Sequence, residues 1–292
     1  PRFYRGDLHI HSYIASHDVK DEGMTPEAIV ATAVAEDLQI IAVADHNEIG
    51  NVQRAVEAGV AAGVLVIPAV ELSTPEGHLL CYLPDVSSLL RFHGRLDVVD
   101  RGLDISRCRN AMHSCLDIAV DLGGFCVLAH VDGGNGLETN YPGGSPHKVD
   151  ILCHPGLLGI ELKSPDSLVS YSGDDVDAVR AQIGRSRIER LGLGAKQYLA
   201  RVLNSDSHTL NALGRNAAQD KKLTRYKMAL PTFAGLVLAL RENDSRIRLE
   251  NEIPATTPYI LGVCLEGGYL SRQAIHFRRN LKCIIGFRGY GK

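Results

Sequence analysis

The sequence predicts an α/β fold built from successive βα units, and three observations carry that reading. Apolar runs of strand length alternate with longer segments of helical period. Start and stop signals bracket the helical segments. The polar residues best suited to chemistry recur at the carboxyl ends of the apolar runs, where βα loops gather in such folds.

The strands are expected at residues 5–11, 39–45, 64–71, 78–83, 124–130, 158–163 and 200–206. Between the first two, Thr25-Pro26-Glu27 opens a helix through Leu38, with Thr25 as N-cap and Pro26 at the first helical position, where a missing N–H costs nothing. Val52 to Ala62 and Ile105 to Leu122 supply two more helices, the latter closing on Gly123-Gly124. Asp174 to Arg190 and Phe233 to Glu242 supply the last two. Residues 131–157 break the rhythm with Gly133-Gly134-Asn135-Gly136 and Pro142-Gly143-Gly144-Ser145-Pro146. That is turn chemistry, expected to form an ordered loop beside a site. From about Asn251 the character changes to short strands separated by glycine turns, at 259–265, 269–277 and 281–285, so a second structural unit is expected to begin there.

With 292 residues the chain can bury one large or two ordinary cores. Its 31 Lys plus Arg against 34 Asp plus Glu, a formal charge of −3, exert no global pull toward nucleic acid or anionic membrane, although a local basic groove is compatible with it. The seven cysteines are scattered and include no Cys-x-x-Cys pair, which suits a disulfide-free cytoplasmic protein. No apolar run reaches the ~18 residues that span a bilayer, and the first residues read as a strand rather than a signal peptide.

In Asp7-Leu8-His9-Ile10-His11, a strand turns His9 and His11 to one side while Ile10 packs away. Asp45-His46, Glu71, His78, His130 and Asp206-Ser207-His208 fall at or beside the ends of other strands, and His17 lies in the loop after the first. For any one of these histidines, a hydrogen-bonded core or loop position is the ordinary explanation. Together they resemble a cluster of imidazole and carboxylate donors suited to zinc, manganese or iron, with more ligands than one tetrahedral ion takes. His93 and His113 are expected to be non-ligands, His276 structural, and His147 and His154 reserve candidates. Glu161 at another strand end either lines the pocket or satisfies nearby backbone, and Lys163, Arg215 and Lys227 are candidate contacts for substrate phosphate.

The runs Asp7-Leu8-His9-Ile10-His11-Ser12, Ala44-Asp45-His46-Asn47, Pro68-Ala69-Val70-Glu71-Leu72-Ser73, Gly77-His78, Leu128-Ala129-His130 and Ser205-Asp206-Ser207-His208 resemble the signature of the PHP family, the polymerase and histidinol phosphatase phosphoesterases. The resemblance covers roughly residues 4–250 and implies a distorted (β/α)7 barrel with two to three divalent metal ions (zinc, manganese or iron) at the carboxyl ends of its strands. It implies one metal on His9, His11, Glu71 and Asp206, a second on Glu71, His78 and His130 with Glu71 bridging, and a third on His17, His46 and His208. Many members carry an aspartate five residues after the second histidine; here that position is Ser16, and His17 follows it. Asp45 is expected to orient a ligand or take a proton, with Asp18 in reserve. Asp45, Glu71 and Asp206 are the expected catalytic carboxylates, acting on a metal-activated water without a serine or cysteine nucleophile.

Leu281-Lys282-Cys283-Ile284-Ile285 leads into Gly286-Phe287-Arg288-Gly289-Tyr290-Gly291-Lys292, the Gly-x-x-x-x-Gly-Lys of a P-loop that stops before its Ser or Thr. Gly286, Gly289, Gly291 and Lys292 are the expected nucleotide-binding residues. The segment resembles the start of ATPases related to the SMC and ABC families, so the expected organisation is a PHP domain at 1–250 and an ATPase fragment ending in Walker A at 251–292. ATP would matter only in a longer protein, which the ATPase part could also assemble into a homo-oligomer. Three functions follow as expectations: a nuclease or phosphodiesterase coupled to an ATPase, a small-molecule phosphomonoesterase resembling histidinol phosphatase, and a non-catalytic PHP module that regulates the ATPase. The nearly full ligand set and the ATPase-like tail favour the first, with nucleic acid as substrate and no membrane partner.

Overall fold

The computed structural model describes residues 1–252, 260–268 and 271–277. The chain divides into two compact units, Pro1–Glu252 and Ile253–Lys292. In chain order the first contains β1 (Arg2–Ile10), α1 (Pro26–Ala35), β2 (Ile40–Val43), α2 (Val52–Ala62), β3 (Leu65–Thr74), β4 (Gly77–Tyr82), α3 (Val86–His93), β5 (Val98–Val99), β6 (Arg107–Cys108), α4 (Met112–Asp121) and β7 (Phe125–Leu128). There follow α5 (Leu137–Asn140), α6 (Pro146–Leu152), β8 (Leu157–Glu161), α7 (Ala178–Leu191), β9 (Ala200–Val202), β10 (Thr224–Met228), α8 (Phe233–Arg241), α9 (Asn243–Arg246) and β11 (Ile247–Leu249).

Nine strands form one sheet in the order β11-β10-β1-β2-β3-β4-β7-β8-β9. The pairs β1–β2, β2–β3, β7–β8 and β8–β9 are parallel. Strand β4 runs against both β3 and β7, because only Pro75 and Glu76 separate it from β3 and so short a link permits a hairpin but no crossover. Beyond β9 the chain returns to β1: Leu8 N–H donates to Asn204 Oδ1 at 2.8 Å, Asp206 N–H to the His9 carbonyl at 3.0 Å, and His11 N–H to the Ser207 carbonyl at 3.0 Å. The sheet thereby nearly closes into a barrel, and the segments after β9 and β1 are held side by side.

Tyr4, Leu8, Ala42, Ile67, Ala69, Tyr82 and Val127 form one buried cluster, and α8 adds Leu236, Ala239 and Leu240 to it. The Tyr82 hydroxyl donates to the Leu8 carbonyl at 2.8 Å across non-adjacent strands, so this cluster fills the barrel interior. Other clusters bury the opposite strand faces beneath the helices. The β1–β2 register shifts between Asp7 and Ile10, so Leu8 packs in the interior while Ile10 joins the outer cluster with α1 residues. Such an irregularity re-aims side chains, and it turns His9 and His11 inward.

Several elements depart from the sequence expectation. The helix expected from Ile105 begins at Met112, because Arg107–Cys108 pairs with Val98–Val99 and Arg109 N–H donates to the Asp97 carbonyl at 2.9 Å. The glycine-rich insertion contains α5 and α6, the latter capped by Ser145 with Pro146 in its first turn. Strands β10 and β11 extend the sheet past the seven expected, and α3 places His93 at a helix end rather than in a polar connection. In the second unit, β12 (Gly262–Leu265) and β13 (Gln273–His276) form an antiparallel hairpin. The expected strand at 281–285 and the P-loop residues Gly286, Gly289, Gly291 and Lys292 lie outside the described residues.

Candidate metal centre

Glu71 is the hub. It projects from β3, wholly buried, and histidines from several strand ends converge on it. Oε2 lies 3.0 Å from His9 Nε2, 3.4 Å from His11 Nε2 and 3.1 Å from His46 Nδ1. Oε1 lies 2.9 Å from His78 Nδ1 and 3.2 Å from His130 Nε2. His78 reaches it because β4 is reversed: the start of β4 lies at the same end of the sheet as the end of β3. Asp206 joins from beyond β9, its Oδ1 3.2 Å from His11 Nε2 and 3.6 Å from His9 Nε2. A second group adjoins the first, in which Asp18 Oδ2 accepts from His208 Nε2 at 2.8 Å and lies 3.3 Å from His46 Nε2.

The backbone is shaped for this convergence. Asn47, His130 and Asp206 all adopt positive φ, 55°, 27° and 56°, at or just past the strand ends. Left-handed backbone is uncommon for non-glycine residues and concentrates at functional sites.

Donor atoms of His9, His11 and Glu71 lie mutually within 4.8 Å, as do those of His46, Glu71 and His78, and those of His11, Asp18, His46 and His208. The donor chemistry fits divalent cations. His46 Nδ1 is buried and lacks any hydrogen-bond partner, although Glu71 Oε2 is only 3.1 Å away. The Nε2 atoms of His9 and His11 lie within hydrogen-bond distance of one another, at 3.1 Å. A buried imidazole nitrogen beside a carboxylate oxygen with no hydrogen bond between them is free to ligate a cation together with it.

Proton affinities report the same crowding. Burial opposes charge on His9, but the carboxylates of Glu161, Glu71 and Asp206 outweigh it and raise its pKa well above the ordinary histidine value. In His46 burial is again overcome, by Glu71 and Asp18, and the pKa is raised to about 9. Burial lowers His11 to about 4. Glu71 is held well below the carboxylate range despite its burial, chiefly by His9 and His46.

The sequence candidates fall into groups. His9, His11, His46, Glu71, His78, His130, Asp206 and His208 are brought together. His17 stands beside them, its ring centroid 5.3 Å from that of His46, but Asp18 supplies the oxygen that meets His46 and His208. Asp45 turns to Ser12, accepting from its N–H at 2.5 Å and its hydroxyl at 2.6 Å, while burial raises its pKa to about 7. It braces the turn that carries His11. Lys163 Nζ lies 4.0 Å from Asp206 Oδ2, Arg215 is paired with Glu36, and Lys227 sits over the Phe3 ring.

Glu161 is the chief residue the sequence reading left undecided. Its carboxylate accepts from His9 Nδ1 at 3.0 Å, from Asn204 Nδ2 at 2.7 Å and from His130 N–H at 3.2 Å. Among the reserve candidates, His147 bonds Glu76. His113, Asp117 and His154 form a further compact group. There Gly156 N–H donates to His154 Nδ1 at 3.0 Å, which leaves the proton on Nε2, facing Asp117 at 3.0 Å. That arrangement is a hydrogen-bonded brace.

No family model and no curated protein matches the chain. Solved structures do. The chain is similar to the lesion-specific endonuclease PfuEndoQ from Pyrococcus furiosus, at 17% identity and a TM-score of 0.58 over 85% of this chain and 58% of that one. It is similar to Endonuclease Q in complex with a 27-mer duplex substrate carrying an abasic lesion at the active site, at 16% identity, TM-score 0.56, 84% of this chain and 58% of that one. It also resembles a two-domain Bacteroides vulgatus protein containing a predicted PHP-like metal-dependent phosphoesterase, at 15% identity, TM-score 0.55, 85% of this chain and 64% of that one. At these identities the likeness is one of fold. The chain spans under two thirds of the length of each of these neighbours.

Proposed function

We propose that this chain is a metal-dependent phosphoesterase that hydrolyses phosphodiester bonds, with nucleic acid as its substrate class. The observation that carries the reading is the buried Glu71 carboxylate ringed by five imidazoles, with Asp206 beside it. His9, His11, Glu71 and Asp206 would hold one cation, Glu71, His78 and His130 a second, and His46 and His208 with Asp18 a third. Bound divalent cations supply an acidified water and neutralise charge on phosphoryl oxygens. Glu161 keeps His9 in the Nδ1–H tautomer, so that Nε2 presents its lone pair to the centre. Asp206, 20% exposed where Glu71 is sealed, stands at the open side and is the carboxylate placed to meet substrate.

The endonuclease neighbours support a phosphodiester over a phosphomonoester, by likeness of fold. The Gly286–Lys292 sequence extends the proposal to coupling with an ATPase in a longer protein, on sequence alone. The test is hydrolysis of labelled single- and double-stranded DNA and RNA and of a phosphomonoester panel with manganese, zinc or iron. Metal-dependent cleavage of nucleic acid, lost in folded His9→Ala and Asp206→Ala proteins, is expected. Cleavage of monoesters alone would replace the reading with a small-molecule phosphatase.

A further inference from the structure

A cavity of about 480 Å³ lies between α7, α8 and the starts of β8 and β9. Leu158 at the start of β8, Leu191 and Leu193 at and just past the end of α7, Tyr198 before β9, and Leu238 and Leu240 of α8 give it an apolar wall. Strands β8 and β9 are parallel, and their other ends carry Glu161 and lead to Asp206. The cavity and the metal centre therefore lie at opposite ends of these strands. Its volume is that of a small-molecule site, roughly 300–1,000 Å³.

Arg187 also lines this cavity and is buried. Its guanidinium carries five N–H donors, yet its hydrogen bonds are three, all to neutral carbonyls: Nη1 to Leu152 and His154, and Nη2 to Leu157. Nε is buried with no partner at all. Other arginines of this chain give that same edge to a carboxylate. Arg225 Nε and Nη2 donate to Glu250 at 2.7 and 2.9 Å, and Arg54 Nε and Nη2 to Glu27 at 3.1 and 2.8 Å. Among the described residues no carboxylate is paired with Arg187, and burial lowers its pKa only to about 10, so the charge persists at neutral pH. A buried charge without a counter-ion is costly to keep. The other ionic residues of the wall do not cancel it, since Arg241 is a second, exposed cation and Glu242 accepts from Gln197 Nε2 at 2.7 Å.

We propose that this cavity binds a small amphipathic carboxylate, whose hydrocarbon body fills the leucine-lined space and whose carboxylate is the counter-ion of Arg187. The planar guanidinium edge matches a carboxylate, and one buried cation in an apolar wall suits a monoanion. The site is separate from the metal centre and takes no part in hydrolysis.

The test is calorimetric titration of the full chain with octanoate, octan-1-ol and octylammonium, which share an alkyl body and differ in head-group charge. Octanoate is expected to bind about tenfold or more tightly than octanol, the margin of a hydrogen bond to a charged group, and octylammonium more weakly than either. From butyrate through hexanoate to octanoate, affinity should climb about fourfold for each methylene buried. Octanoate that binds no better than octanol, or does not bind, would overturn the site.

Arg187→Met keeps the apolar stem and removes the charge. It is expected to erase the preference for octanoate while octanol affinity holds; a preference that survives would remove Arg187 as the counter-ion and overturn the proposal. Because Arg187 also secures three carbonyls, melting temperatures accompany this variant. If it fails to fold, the exposed Leu238 carries the test. Leu238→Trp fills the cavity and is expected to lose both octanoate and octanol, whereas Leu238→Glu is expected to weaken octanoate and not octylammonium. Octanoate that binds both Leu238 variants as it binds wild type sits elsewhere on the protein, and the proposal falls.

Discussion

At Glu161, a fully buried carboxylate accepts hydrogen bonds from His9, Asn204 and the His130 backbone at once. It fixes the tautomer of one candidate ligand and the position of another, and outer partners of this kind typically govern metal affinity about 10- to 100-fold. Glu161→Gln is therefore expected to weaken manganese or zinc binding by that range, read by competition with a chromophoric chelator, while the far-ultraviolet spectrum holds. Unchanged affinity would remove Glu161 from the centre. The titrating groups give a second expectation. The folded-state pKa values of His46 (about 9), His9 and His208 are raised above the ordinary histidine value. A raised pKa favours folding while the proton stays bound and loses that contribution as pH climbs through the folded value. The metal-free protein is thus expected to melt at lower temperature at pH 9 than at pH 7. Bound metal displaces the same protons, so saturating metal should flatten or reverse the slope. A metal-free melting temperature that rises over this interval would contradict these assignments.

Among the elements, α7 secures the insertion through one side chain. Arg187, 4% exposed, donates to the carbonyls of Leu152 at 2.7 Å, His154 at 2.9 Å and Leu157 at 2.6 Å, joining the end of α6 to the start of β8. Arg187→Ala would strand three carbonyls that water reaches poorly, at about 1–3 kcal/mol for each left unmet. A loss of about 3 kcal/mol in urea unfolding is expected, with residual metal binding intact because the ligands sit on other strand ends. Wild-type stability in that variant would show the carbonyls finding other donors. Glu138 fastens the other side of the insertion, taking Lys148 Nζ at 2.6 Å, Arg180 Nη1 at 3.3 Å and the Tyr171 hydroxyl. The cue for α6 was present in Ser145-Pro146, the same cap-and-proline signal that marked α1; the surrounding glycines masked it. Strand β10 left less trace, because its pairing with β1 joins residues more than two hundred positions apart.

For the whole molecule, the centre ties together β1, β3, β4 and the segments after β2, β7 and β9, so metal binding should stabilise the barrel as a unit. At metal concentrations a thousandfold above Kd, linkage gives about 4 kcal/mol. Thermal or urea unfolding of the full chain with manganese and then with excess chelator should show that gain and its reversal. Curves that coincide would mean the histidine cluster holds no ion in solution. Among the described residues no helix is long and apolar enough to cross a membrane.

The sequence by itself determined the alternating α/β architecture and the congregation of histidines and carboxylates at strand ends, because periodicity and strand-end position are local properties of the chain. Residues such as His9, His11 and Glu71 could be singled out for that reason. Only the tertiary structure decided that Asp18 rather than His17 meets His46 and His208 and that Glu161 holds His9. Each depends on groups brought together from distant strands or on a side chain's orientation in the closed barrel, and sequence spacing carries no information about either.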